Sequence, residues 1–214
     1  MKSTAIRIFI ADDHPIVRQG LRRIVEADAG LAISGEAGDA TTLLSALETA
    51  ATDLVLLDVS MPGGPVLETL RALRERHPTI RVLVLSVHPE DQWAVRVLRA
   101  GASGYLTKDH SPAQLLEAIR RVHRGGKYVS PSLAEQLASQ LDGRGQRAPH
   151  ELLSDREFEV MRRLGSGLTV SQVAGELDIS AKTVSTYRTR ILEKMGMASN
   201  ADLVRYAARY GLIA

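Results

Sequence analysis

Leu54-Val55-Leu56-Leu57-Asp58 decides how this chain is read: four consecutive apolar residues, then a lone carboxylate. A short run without polar alternation suits a strand buried on both faces of a parallel sheet, and the acid then stands at its C-terminal tip. Similar runs lie on either side. Ile6 to Ala11 ends in Asp12-Asp13, Val82 to Leu85 in Ser86, and Gly104 to Leu106 leads through Thr107 to Lys108; Leu31 to Gly35 completes a set of five. Between these runs the apolar residues switch to helical spacing. Val17, Leu21, Ile24 and Val25 share one face, Leu43, Leu44 and Leu47 another, and Leu67, Leu70 and Leu73 a third. Ser111 caps a further helix that begins at Pro112, carries Leu115, Leu116, Ile119 and Val122, and stops at Gly125-Gly126. The pattern predicts five βα units. In such sheets the C-terminal strand ends lie along one edge, where ligand crevices form.

Convergence gives the polar strand ends a joint chemistry. Asp12, Asp13 and Asp58 repel one another unless a cation sits among them, and a hard, oxygen-ligated ion such as Mg²⁺ is the natural candidate beside Lys108. Asp58 is the expected nucleophile toward phosphorus, while Asp12 and Asp13 hold the metal that offsets the charge of the phosphoryl oxygens. Lys108 then pairs with one phosphoryl oxygen, and the Ser86 hydroxyl donates to another. Taken singly, each of these residues is an ordinary polar strand end. The ordered set across four of five strands carries the reading. His14 and His88 flank the pocket and read as outer or solvated groups.

With 214 residues and 44% hydrophobic content, the chain has material for two modest packed domains. It contains no cysteine, which excludes a disulfide scaffold and thiolate chemistry. The apolar run before Asp12 is too short for a secretory signal, and no later stretch approaches a membrane span, so a cytoplasmic location and no membrane partner are expected. A net charge of +2 does not announce nucleic-acid binding, so any such claim rests on local distribution. Through Gly125 there are 15 basic and 15 acidic residues, whereas Ala181 to Lys194 holds Lys182, Arg188, Arg190 and Lys194 against Glu193 alone.

Lys127 to Leu141 keeps some helical pattern around Leu133 and Leu137, and Asp142 to Pro149 reads as a linker. Beyond it the pattern is purely helical. Ser154 with Glu157 and Thr169 with Gln172 form capping boxes, Ser180 caps a third helix, and Ser199 or Asn200 a fourth. Thr169 to Leu177, the turn Asp178-Ile179-Ser180 and Ala181 to Met195 have the spacing of a helix-turn-helix, with Val173, Leu177, Ile179, Val184 and Ile191 available for its core. Asp178 stands where the chain often turns left-handed, which Asp tolerates better than most residues. On the outer face of the second helix, Lys182, Ser185, Thr186, Arg188 and Thr189 offer phosphate and base-edge contacts. Arg188 and Arg190 are expected to add salt-dependent affinity.

These words also carry a resemblance. Asp12-Asp13-His14-Pro15, Asp58-Val59-Ser60-Met61-Pro62-Gly63 and Gly104-Tyr105-Leu106-Thr107-Lys108 resemble the receiver domain of bacterial two-component response regulators, in their NarL/FixJ branch, over about residues 5–125. Leu153-Ser154-Asp155-Arg156-Glu157 and Ser180-Ala181-Lys182-Thr183-Val184-Ser185-Thr186-Tyr187 resemble the LuxR-type DNA-binding domain over about residues 150–214. The fold implied is α/β: a CheY-like (βα)5 parallel-sheet receiver over residues 1–126, a linker with partial helix over 127–149, and a smaller all-α helix-turn-helix domain over 150–214.

The resemblance further implies phosphorylation of Asp58 by a sensor histidine kinase. Asp13 is then a direct Mg²⁺ ligand, Asp12 a mostly water-mediated one and the Ser60 backbone carbonyl a third, with Tyr105 as an aromatic switch. The third C-terminal helix enters the major groove of double-stranded DNA, using Lys182, Ser185, Thr186, Arg188, Thr189 and Arg190. A fourth helix, near Ala201 to Tyr210, supports a homodimer. The implied function is a phosphorylation-switched transcription regulator with no enzymatic turnover beyond Mg²⁺-dependent self-phosphorylation and dephosphorylation. Two departures stand out. Gly64-Pro65-Val66-Leu67 follows Gly63 where the family commonly has a polar residue and then Gly-Leu or Gly-Ile, and proline there suits the first turn of a helix. Ser185 and Thr189 stand where some members carry lysine, which leaves base discrimination to short hydroxyls.

Overall fold

In a computed structural model of the chain, which describes residues 5–87, 90–131, 133–135 and 148–212, the first half forms the expected parallel sheet. Strands β1 (Ile6–Ala11), β2 (Leu31–Ala37), β3 (Leu54–Asp58), β4 (Arg81–Ser86) and β5 (Gly104–Thr107) are ordered β2-β1-β3-β4-β5. They alternate with helices α1 (Pro15–Glu26), α2 (Ala40–Leu47), α3 (Val66–Arg76), α4 (Glu90–Ala100) and α5 (Pro112–His123). The apolar runs are buried throughout: Leu54, Val55, Leu56 and Leu57 are closed to solvent on both faces. Ile8 and Ile10 meet the α1 and α5 stripes, including Leu21, Val25, Leu115 and Ile119, in one core. Strand order reverses between β1 and β3, and at such a switch point neighbouring crossovers leave to opposite faces and open a crevice. The register Ala11↔Leu57 sets the residues that follow β1 beside the end of β3.

Strand ends run further than the apolar runs alone suggested. β2 extends to Ala37, β3 includes Asp58 and β4 includes Ser86, because backbone pairing continues past the last hydrophobic side chain. Along β1 and β2 the register shifts by one residue at Phe9, which meets Gly35; a Cβ on Gly35 would lie 2.5 Å from the Phe9 ring. In the loop after Asp58, Gly63 and Gly64 have φ of +91° and +134°. This left-handed pair turns the chain so that Pro65 becomes the N-cap of α3, rather than a residue of its first turn as expected.

The chain divides into two compact units, Met1–Ala138 and Ser139–Ala214. After α5, Ser130 opens a short helical stretch in which its hydroxyl accepts from Leu133 N at 3.1 Å and its carbonyl accepts from Ala134 N at 3.0 Å. Leu137, residues 142–147 of the expected linker, and His88 lie outside the described residues.

The second unit is helical: a 3₁₀ turn at Pro149–Leu152, then α6 (Asp155–Gly165), α7 (Val170–Glu176), α8 (Ala181–Met195) and α9 (Asn200–Arg209). Both expected capping boxes form, and Ser199, not Asn200, caps α9 in a further box with Asp202. Asp178 turns left-handed with φ of 49° between α7 and α8. Phe158, Met161, Leu164, Val173, Val184, Ile191, Leu203 and Ala207 form the core, whereas Leu177 and Ile179 are only half-buried. At the C-terminal end of α9, Tyr206 and Tyr210 stack at 4.4 Å, and His150 Nδ1 lies 2.8 Å from the Tyr206 hydroxyl. Burial pushes Tyr206 up to about 12, so it stays a neutral hydrogen-bonding group. Among the described residues, no helix is long and apolar enough to cross a membrane.

Candidate functional site

Asp12, Asp13 and Asp58 meet at the C-terminal edge of the sheet. Together with His14 they offer ligand atoms that all lie within 4.8 Å of one another. Asp12 is 1% and Asp58 3% exposed. The Lys108 ammonium reaches both, at 2.6 Å from Asp12 Oδ2 and 3.0 Å from Asp58 Oδ2. The loop after β5 is pinned beside β4 by the Lys108 amide, which donates to the Ser86 carbonyl at 2.7 Å. Ser86 is fully buried at the end of β4, next to β3. Tyr105 is also fully buried on β5, and Ser60 is exposed in the loop beyond Asp58, with its backbone amide donating to the Asp58 carboxylate. Each residue selected for the pocket therefore lies at or beside this edge, except Tyr105, which is buried within β5 two residues before its C-terminal end.

The pocket carries more negative charge than Lys108 alone balances. Burial pushes the Asp58 carboxyl up from its ordinary 3.8, the negative Asp12 adds to that push, and Lys108 and the Ser60 amide only partly oppose it. Burial also works against the Lys108 ammonium, but its hydrogen bond to Asp12 and its ion pair with Asp58 prevail and hold it above its ordinary 10.5. The Asp58 shift is chiefly one of burial, and the Lys108 shift one of its two acidic neighbours. Two oxygens closed to solvent, Asp13 Oδ1 and Asp58 Oδ2, lack a well-directed hydrogen-bond donor, although each has a basic neighbour. Asp12, by contrast, has both oxygens engaged: Oδ1 accepts from the His14 amide at 2.8 Å and Oδ2 from Lys108. Three clustered carboxylates, two of whose oxygens lack a well-directed donor, fit a small hard divalent cation. His14 is more than a flanking group: its ring is 64% exposed, yet its Nδ1 lies 2.6 Å from Asp13 Oδ1.

A stability experiment follows from these shifts. A carboxyl raised by folding stabilises the fold below its unfolded pKa, and that contribution is lost as pH rises from 3.8 through the folded value. Lys108, also raised, contributes fully below 10.5 and loses that contribution only above it. With divalent cations chelated, Asp58→Asn is expected to stabilise the first unit by roughly 1 kcal/mol at neutral pH. It should also flatten the loss of stability above pH 3.8. Urea unfolding followed by Trp93, the single tryptophan and buried in α4, reports this unit. A destabilised Asn variant would show that the carboxylate is not under strain.

In the second unit, α8 exposes Lys182, Ser185, Thr186, Thr189, Arg190 and Glu193 along one side. Ser180 caps it through Thr183 N at 3.0 Å, and Gly196 ends it in a left-handed turn. Three details depart from the simple picture of a basic helix. Lys194 is bound at 2.6 Å to the almost buried Glu157 of α6, so its charge is not part of a free surplus. Arg188 is half-buried and donates from Nε to Asn200 Oδ1 at 2.6 Å, tying α8 to the start of α9. Thr186 and Thr189 donate back to the carbonyls of Lys182 and Ser185 at 3.0 and 3.2 Å. Lys182 and Arg190 remain exposed without an ion-pair partner among the described residues.

The model of the response regulator receiver domain matches residues 8–120, and that of the LuxR family of bacterial regulatory proteins matches residues 151–207. The response regulator UvrY of Escherichia coli K12 is 36% identical over 208 residues, covering 97% of this chain and 95% of the relative. GacA of Pseudomonas viridiflava is 38% identical over 209 residues, with 97% and 98% covered. Among solved structures, RcsB from Salmonella enterica serovar Typhimurium, bound to promoter rprA in the presence of phosphomimetic BeF3⁻, aligns with a TM-score of 0.74. It is 26% identical and covers 96% of this chain and 99% of that one. The five-stranded parallel sheet and the C-terminal helical domain agree with these matches. It belongs to the NarL/FixJ family of response regulators, as a transcriptional regulator with a receiver domain and a LuxR-type DNA-binding domain.

Proposed function

We propose that Asp58 accepts a phosphoryl group from a sensor histidine kinase and that this modification shifts the chain to a form that dimerises and engages double-stranded DNA through α8. The observation that carries the reading is the gathering of Asp12, Asp13 and Asp58 around Lys108, with the ammonium 3.0 Å from Asp58 Oδ2 and three carboxylates facing one cation. Asp13 and Asp58 would hold Mg²⁺ directly with the Ser60 backbone carbonyl, and Asp12, both of whose oxygens are engaged, would act through water. When bound, the metal supplies positive charge against the phosphoryl oxygens. An Asp58 oxygen attacks phosphorus; a P–O bond forms as the donor P–N bond breaks, and the electron pair leaves on the imidazole nitrogen. Lys108 then turns from Asp58 to a phosphoryl oxygen. The Ser86 hydroxyl donates to another, and Tyr105, buried on β5, is the aromatic switch that responds as the β4 end moves.

Phosphate biases the equilibrium only by binding one state better than the other. The proposed organisation is a receiver over residues 1–126, a linker over 127–149 and a DNA-binding domain over 150–214. The chain's turnover is limited to its own phosphorylation and dephosphorylation, in the cytoplasm where kinase output and chromosome meet. Lys182, Ser185, Thr186, Thr189 and Arg190 supply the DNA contacts on α8, and Arg188 reaches phosphate only if it leaves Asn200. Full-length protein treated with Mg²⁺ and acetyl phosphate is expected to pass from monomer to dimer in light scattering. It should also bind a random-sequence duplex more tightly at low salt, with neither change in Asp58→Asn. Equal binding with and without the phosphodonor would sink the switch.

A further inference from the structure

We infer that Arg18 is a positioning residue for the metal site: anchored by Glu36, it holds the Asp12–Asp13 peptide plane that aims the Asp13 carboxylate. This deepens the reading above and rests on it. Arg18 stands on α1, and its Nη1 donates to the Asp12 carbonyl at 2.6 Å. Its Nε lies 3.7 Å from Glu36 Oε2. Glu36, on β2 opposite Ile10, is steadied in turn by Arg22 Nη2 at 2.6 Å from Oε1. Both ends of this network are half-buried, with side chains 22% and 25% exposed.

The target of Arg18 gives the contact its meaning. The Asp12 carbonyl and the Asp13 amide belong to one rigid peptide plane, so holding the oxygen sets the direction in which Asp13 leaves β1. Every polar group of Asp12 has a protein partner. Its amide donates to the Ala37 carbonyl at 3.1 Å, its carbonyl accepts from Arg18, and its carboxylate accepts from the His14 amide and Lys108. Asp13 has no such set. Among the described residues its Oδ1 has the exposed His14 ring at 2.6 Å and no well-directed donor, so the backbone does most of the aiming. A planar guanidinium can donate one N–H to the carbonyl while its delocalised charge faces the carboxylate 3.7 Å away, which a lysine ammonium does not reproduce.

Isothermal titration of Mg²⁺ into the full-length protein tests this, with circular dichroism confirming that each variant is folded. Arg18→Gln is expected to weaken Mg²⁺ binding about tenfold, the usual scale for a group that orients a metal ligand. Arg18→Lys, which keeps charge but not the planar fork, should stay near Arg18→Gln, and Glu36→Gln should weaken binding about threefold. If Arg18→Gln fails to fold, Glu36→Gln carries the test. Binding in Arg18→Gln within about twofold of wild type, or full recovery in Arg18→Lys with a harmless Glu36→Gln, overturns the positioning role and leaves the proposed function standing. A wild type that takes up no Mg²⁺ overturns that function and the inference together.

Discussion

Asp58→Asn is expected to abolish phosphoryl uptake. After incubation with Mg²⁺ and acetyl phosphate, intact-protein mass spectrometry should find one added phosphoryl group on the wild type and none on the variant. The substitution replaces one carboxylate oxygen by a nearly isosteric NH2 group at a buried strand end, so the sheet survives while the nucleophile is lost. Lys108 keeps Asp12 as a partner, so the pocket retains its principal ion pair. A variant modified to the wild-type extent would move the acceptor elsewhere. Continuous Asp58-dependent hydrolysis of small phosphoesters would instead favour a metal-dependent phosphatase, a rival that uses the same carboxylates.

The double variant Lys182→Ala/Arg190→Ala is expected to lose DNA affinity across all sequences. These two exposed cations stand on the outer side of α8. Each lost phosphate contact should lower the dependence of log affinity on log salt by about 1, so anisotropy titrations over a salt series should lose about 2 in slope. Ser185 and Thr189 variants should change which duplex is preferred while leaving that slope near the wild-type value, since short hydroxyls carry no charge to release counterions. An unaltered slope in the double variant would place the DNA-contacting surface away from α8. Lys194→Ala is expected to act differently: it strands the almost buried Glu157, which also closes the capping box of α6, so its effect appears in stability before DNA binding.

Much of the pocket was legible because its residues are polar interruptions of apolar runs. Asp58, Ser86 and the Asp12-Asp13 pair each break a hydrophobic stretch at the point where a buried strand ends, and βα alternation brings such ends to one edge whatever the loops do. The capped helices were legible for a related reason: Ser154, Thr169 and Ser180 satisfy amides three residues away, an interaction contained within a few residues of chain. Arg18 was not legible. An arginine among Gln19, Arg22 and Arg23 reads as part of a solvated helix face, and only the proximity of β2 and the β1 end reveals its carbonyl target. The charge surplus of α8 was overstated for the same reason, since Lys194 meets an acid 37 positions earlier in the chain.

The amino-acid order by itself determined element types, their sequence along the chain, the strand-end acids and the helix-turn-helix, because periodicity, capping and turn chemistry act between near neighbours. Tertiary structure alone decided which Asp12, Asp13 and Asp58 oxygens stay open, and which cations of α1 and α8 are spent on internal partners. Those outcomes depend on distances between side chains that only packing brings together, and a charge or hydrogen bond falls off over a few ångströms regardless of sequence separation.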